Sequence, residues 1–319
     1  MYKRVLVPLD GSTTALQVLP YAELIAKSSG ATIELLQALT AYPSELLKQV
    51  SHQYVGGGGS PSYPPSIELW TSIQDQMRED VKASLEAVAA PLRDDGFKVE
   101  TTAAENDAVG AIMAAADQDP DTLIAISTHG RSGVGRWLLG SVTDKVVRHA
   151  THPTLVVRSR EGHVAPATPK LDRIILPLDG SEMSSTAIPY AVDLAKTLGV
   201  GITLVRTISP LSYGDGFADY VPSVYDDLTA EIQTDVQDYL SHEAEVIKRM
   251  GITDVAEQGI DGYPATAILD EVGDDGDKIV VMATHGRAGI GRWVLGSVAD
   301  RVVRHSPGPV LVVRPVTGD

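Results

Sequence analysis

The chain contains one stretch twice. Residues 128–158 read THGRSGVGRWLLGSVTDKVVRHATHPTLVVR, and residues 284–314 read THGRAGIGRWVLGSVADRVVRHSPGPVLVVR, identical at about seven positions in ten with no gap. The copies therefore demand two similar units rather than one large core. Each copy follows a short apolar run, Leu123–Ile126 and Ile279–Met282, and each ends in another, Leu155–Val157 and Val310–Val313. Such runs have the length and β-branched content of strands buried on both faces.

Between the strands lies a glycine-rich loop, then Gly140-Ser141 or Gly296-Ser297 opening a short helix with apolar Val142, Val146 and Val147 in the first copy. A strand, a loop of small residues and a helix N-terminus make an anion site, because free backbone N–H groups and the helix dipole both favour phosphate. Gly130 and Gly140 are separated by nine residues, as are Gly286 and Gly296. Glycine lets backbone approach a phosphate with no side chain in the way. The serine that follows is expected to cap its helix and turn its hydroxyl towards the ligand. No GK[ST] follows, so this is not a Walker A loop.

These residues carry a resemblance. HGRSGVGRWLLGS and HGRAGIGRWVLGS resemble the signature loop of the universal stress protein family, G-x2-G-x9-G-[ST], and the openings RVLVPLDGS (4–12) and RIILPLDGS (173–181) are similar to that family's first strand. The first glycine of the pattern is Ser127 in one half and Ala283 in the other, both small enough for close approach. The resemblance implies two tandem doubly wound α/β domains, each a five-stranded parallel sheet flanked by helices, Rossmann-like and of the adenine nucleotide alpha hydrolase type. It implies ATP, with Mg or Mn, held in one or both halves. The positions it carries over are Pro8, Asp10, Ala38, Ser127, His129, Gly130, Arg131, Gly133, Gly140, Ser141 and Val142, matched by Pro177, Asp179, Thr207, Ala283, His285, Gly286, Arg287, Gly289, Gly296, Ser297 and Val298. Ala38 and Thr207 would lie against adenine through their backbone. It further implies an intramolecular pseudo-dimer paired through the last strand of each half, with a homodimer of the whole chain as a further expectation.

Composition narrows the partners. The formal net charge is −16, which argues against general binding to nucleic acid or anionic lipid and repels ATP globally, so any phosphate must be held by local groups. There is no cysteine, which excludes disulfides, zinc–thiolate sites and cysteine nucleophiles and suits a reducing cytosol. The first strand follows Met1 closely, and no apolar run approaches membrane-spanning length, so a cytoplasmic protein is expected.

In chain order, Val5–Leu9 reads as a strand ending at Asp10-Gly11-Ser12, with a helix from Ser12 to about Ser28 that bends at Pro20, as its counterpart would at Pro189. Asp10 and Asp179 admit two readings, a turn residue or an acceptor for ribose hydroxyls at the carboxyl end of the first strand, and we assign them to ribose. Second strands fall at Ile33–Leu39 and Ile202–Ile208, and third strands at Val99–Ala103 and Val255–Gln258. Residues 66–93 place Ile73, Met77, Val81, Leu85, Val88 and Leu92 at helical spacing, a core stripe, with Leu228, Ile232, Val236, Tyr239 and Ile247 in the second half. Short helices follow near 107–117 and 264–272. The order is βαβαβαβαβ, twice, with domains at 1–160 and 171–319 and a linker at 161–170. VGGGGSPSYPPS (55–66) and SYGDGFADYVPS (212–223) read as loops, either covering a ligand or lying on the surface.

His129 and His285 read as donors that fix the loop rather than as general acids or bases, since no partner carboxylate can be named. Arg131, Arg136, Arg287 and Arg292 are either phosphate contacts or solvated charges, and Trp137 and Trp293 read as packing residues. No catalytic residue and no metal-ligand spacing is found. The expected function is a nucleotide-dependent stress-response regulator without enzymatic turnover. The alternatives are a slow, self-phosphorylating ATPase and a structural dimer with a degenerate site.

Overall fold

The computed structural model describes residues 2–39, 67–105, 107–128, 139–159, 162, 168–208, 222–284 and 295–314. In the first half the elements are β1 (Arg4–Leu9), a 3-10 turn (Ala15–Val18), α1 (Leu19–Ser29), β2 (Thr32–Ala38), α2 (Ile67–Asp94), β3 (Val99–Ala104), α3 (Ala108–Ala116), β4 (Thr122–Ser127), α4 (Ser141–His149) and β5 (Thr154–Val157). The second half repeats them as β6 (Arg173–Pro177), α5 (Glu182–Ser185), α6 (Ile188–Leu198), β7 (Gly201–Ile208), α7 (Pro222–Arg249), β8 (Val255–Asp261), α8 (Pro264–Val272), β9 (Lys278–Ala283), α9 (Ser297–His305) and β10 (Val310–Val313).

All ten strands form one sheet, in the order β3-β2-β1-β4-β5-β10-β9-β6-β7-β8. Within each half every pairing is parallel. The halves meet through one antiparallel pair, with Val310 opposite Val156, Leu311 opposite Leu155 and Val312 opposite Thr154. Each half is doubly wound, so its chain reverses direction across the sheet at β1/β4 or β6/β9. In open α/β sheets that reversal leaves a crevice at the carboxyl ends of the two strands.

Burial on both faces explains why the strands read as unbroken apolar runs. Val5, Val7 and Leu9 point into one core layer, under α1 and the carboxyl-terminal part of α2. Leu6 points into the other, with Ile112, Val146 and Val147 from α3 and α4. The first layer is continuous across the halves, and α1 packs directly on α6.

Two expectations need correction. No helix runs unbroken from Ser12 to Ser28: a 3-10 turn spans Ala15–Val18, with Ser12 accepting the Ala15 N–H, and α1 starts at Leu19 with Pro20 in its first turn. Pro189 does the same for α6, which a separate short helix precedes. Proline lacks only an N–H that has no partner there, so it starts these helices instead of bending them. The third strand of the second half also extends past Gln258 to Asp261, because β7 continues to pair with it through Gly259, Ile260 and Asp261. The loops at 55–66 and 212–221 and linker residues 163–167 lie outside the described residues.

One buried ion pair distinguishes the first half. Arg4 Nη1 donates to Glu34 Oε2 at 2.9 Å, and Thr102 donates to Glu34 Oε1 at 2.8 Å. Thr203 occupies the matching position on β7. Removing one member strands the other charge in the interior, a loss of about 3–5 kcal/mol. Glu34→Ala should therefore lower unfolding stability by about that amount in urea titrations. Glu100→Ala, exposed on the neighbouring strand, should stay within about 0.5 kcal/mol of the parent.

Candidate functional site

The site is built from the carboxyl ends of β1, β2 and β4 and the N-terminus of α4, and again from β6, β7, β9 and α9. At the first strand, Asp10 Oδ1 accepts the Ser12 N–H at 3.0 Å and the Ser12 hydroxyl at 2.6 Å. In the second half Asp179 Oδ1 accepts from Ser181 N–H at 2.9 Å and from its hydroxyl at 2.6 Å. Each serine oxygen in turn accepts a backbone N–H three residues on, Ala15 at 3.1 Å and Ser184 at 3.2 Å. In each half one carboxylate oxygen ties the turn, and the half-buried group lies at the strand end. The intervening Gly11 and Gly180 have φ of 80° and 83°, the left-handed region that the turn requires and that favours glycine. Gly11→Val should reduce stability by about 1–2 kcal/mol in thermal unfolding, from strain at that φ.

The register brings Ala38 and Thr207 alongside the aspartates. Leu9 stands opposite Gln37, so Ala38 lies level with Asp10. Pro177 stands opposite Val205, which puts Thr207 level with Asp179. Pro8 is buried within β1, and Pro177 half-buried at the end of β6.

Ser127 and Ala283 are the last residues of β4 and β9, extended backbone that any L-residue adopts, so a residue with a side chain brings no strain there. The loop that follows is closed at its base. Gly140 N–H donates to Thr128 O at 2.7 Å, and Gly296 N–H to Thr284 O at 2.8 Å. The threonines are themselves pinned, Thr128 N–H to Val157 O and Thr284 N–H to Val313 O, both at 2.9 Å. Thr143 adds a bond to Ser127 O at 2.7 Å that Ala299 cannot make in the second half.

Here a further expectation fails. Ser141 and Ser297 are not helix caps: the cap positions belong to Gly140 and Gly296, with no side-chain capping bond in either helix. Their φ values, −57° and −58°, are ones any residue adopts, so backbone conformation does not require glycine there. The serines instead sit exposed on the first turn, with Val142 and Val298 half-buried beside them. Helix N-termini present N–H groups with no intrahelical acceptor, and neither helix supplies a side chain to cap them. His129, Gly130, Arg131, Gly133, His285, Gly286, Arg287 and Gly289, with Arg136, Trp137, Arg292 and Trp293, lie outside the described residues.

An acidic residue in the first turn of such a helix would repel a phosphate, yet each helix has one, Asp144 and Asp300. A ring of four charges offsets them. Arg148 donates to Asp144 at 2.9 and 3.1 Å and to Asp300 of the other half at 3.3 Å. Arg304 donates to Asp300 at 2.8 and 2.9 Å and to Asp144 at 3.3 Å. Hydrogen bonding to Asp144 raises the Arg148 pKa, and hydrogen bonding to Asp300 raises that of Arg304. At the far ends, Arg314 donates to Arg148 O of α4, and Arg158 to His305 O of α9 at 3.3 Å. The sequence reading missed this ring. Its signal was the Asp-x3-Arg spacing in both repeats, one helical turn apart.

The geometry defines a class: a doubly wound α/β chain in which a helix N-terminus stands beside the topological switch point of each half. Comparison with known proteins agrees. The family profile described as Universal stress protein family matches residues 1–53, 60–158 and 170–314. The chain belongs to the universal stress protein family. A putative universal stress protein of Staphylococcus haemolyticus is 32% identical over 143 residues, 44% of this chain and 83% of the relative. A universal stress protein of Mycobacterium bovis is 24% identical over 255 residues, 79% of this chain and 81% of its own. The crystal structure of a universal stress protein from Archaeoglobus fulgidus superposes with a TM-score of 0.66 at 23% identity, covering 98% of this chain and 99% of the other, a likeness of fold. Among the described residues, no helix is long and apolar enough to cross a membrane.

Proposed function

We propose that the chain binds ATP in one or both halves and acts in the cytoplasm as a nucleotide-dependent stress-response regulator without enzymatic turnover. The observation that carries this reading is the same arrangement present twice. An uncapped helix N-terminus behind Gly140-Ser141 or Gly296-Ser297 stands at the carboxyl end of the sheet, with Asp10 or Asp179 at the neighbouring strand end. Backbone N–H groups and the helix dipole suit phosphate, and a carboxylate suits ribose hydroxyls. Ala38 and Thr207, level with the aspartates, are the residues we assign to adenine. A divalent cation, Mg or Mn, would supply charge neutralisation to the phosphates.

Several features favour binding over chemistry. Asp10 and Asp179 are already bonded into their turns, an arrangement suited to holding a ligand hydroxyl and unsuited to taking a proton from water. The antiparallel β5–β10 pair joins both halves in one sheet, which favours a partner that reads two occupancies at once; we propose that this pairing is the intramolecular counterpart of a dimer.

The test is mass spectrometry of nucleotide released on denaturing freshly purified protein, with its stoichiometry, followed by calorimetry with Mg-ATP. Gly140→Val should abolish binding in the first half and Gly296→Val in the second, because the added side chain fills the approach path while the backbone conformation stays allowed. Ser141→Ala or Ser297→Ala should weaken binding by only about 0.5–1.5 kcal/mol, one hydroxyl bond. Unchanged circular dichroism controls for folding. Turnover faster than about 1 s⁻¹, the lower end of typical enzymes, would overturn the non-enzymatic part of the proposal.

A further inference from the structure

The two halves differ at the residue that precedes the helix after their third strand. In the first half it is Asp107, whose Oδ1 accepts Val109 N–H and Gly110 N–H, both at 3.1 Å, and which is thereby folded back onto α3. In the second half it is Tyr263, which makes no capping bond and is 83% exposed, the one large hydrophobic so exposed among the described residues. Its backbone gives the residue a defined place. Gly262 N–H donates to Ile208 O at 3.4 Å, and Thr207 pairs with Ile260, so Tyr263 stands just past the carboxyl ends of β7 and β8, three residues beyond the partner of Thr207. Pro264 follows at the first position of α8 and restricts the tyrosine to extended backbone, at φ −76° and ψ 129°. The tyrosine is thus held on extended backbone at the carboxyl end of the sheet, the end that also carries Asp179 and Thr207.

We infer that Tyr263 is a base-stacking residue of the second half, giving that half a preference for a purine nucleotide that the first half lacks. This rests on the nucleotide reading above and deepens it. A phenol ring offers a flat apolar face at small entropic loss, and stacking tolerates any base but strengthens with ring area. Asp107 offers the first half no such face, and its charge is spent on the helix terminus. The inference makes the two sites unequal through the base and not through the phosphates, whose helix termini match.

Calorimetry on the full chain carrying Gly140→Val isolates the second half, and Gly296→Val isolates the first. In the former background Tyr263→Ala should weaken Mg-ATP binding by about tenfold, the loss of one stacked base, and Tyr263→Phe should retain affinity within about twofold. The preference for ATP over CTP should fall in Tyr263→Ala and persist in Tyr263→Phe. In the Gly296→Val background neither change should alter binding. Unchanged ATP affinity in Tyr263→Ala, an equal loss in Tyr263→Phe, or an unaltered ATP-to-CTP preference each overturns the inference while leaving nucleotide binding intact. A parent chain that binds no Mg-ATP removes the nucleotide reading itself, and the inference with it.

Discussion

Three residue pairs between β5 and β10 decide how this chain is assembled. Each half alone would end its sheet on a short strand that is apolar but for Thr154, Thr154–Val157 or Val310–Val313, with its ladder groups unpaired. Such an edge invites association with any other strand. Pairing the two edges with each other removes both at once and merges two sheets into one. The edges that remain, β3 and β8, are of another kind: VETTAA and VAEQGID carry Glu100, Glu257 and Asp261 and are half-buried or exposed along much of their length. The apolar edges are thus spent internally and the polar ones face outward.

The join also places the two candidate sites in a fixed relation. On one face of the sheet α1 packs on α6, and on the other α4 and α9 are linked by the Asp144–Arg148–Asp300–Arg304 ring. The members of the ring are about a quarter exposed, so each pair on its own adds little to stability. Its stronger consequence is electrostatic: it neutralises the carboxylates that sit in the first turn of each of these two helices.

Much of this was legible in the sequence, and the reasons for the rest are specific. The inner strands declared themselves because burial on both faces leaves an apolar run, and the repeat located the loop and helix of each site. The third strands were harder. At a sheet edge, residues such as Gly259 and Asp261 pair through backbone alone, so composition does not mark where β8 stops. Pro20 and Pro189 misled because helical periodicity continues across the 3-10 turn before one and the short helix before the other, where the break shows only in backbone hydrogen bonds. Ser141 was mistaken for a cap because sequence does not distinguish the last residue before a helix from its first. The Asp-x3-Arg pairs were visible, yet their partners lie in the other copy, and nothing local announces a contact between residues 148 and 300.

The arginines after the last strands carry a separate implication. Arg314 closes the carboxyl end of α4, and Arg158 that of α9, so each half finishes a helix belonging to the other. Neither half is a complete module. After duplication the copies could diverge freely at Glu34, Asp107 or Tyr263, which answer only to their own half. The exchanged arginines answer to both, and so mark where inheritance of one copy is tied to the other. A half transplanted between relatives would have to bring its arginine and find its acceptor, a constraint on recombination written in two hydrogen bonds.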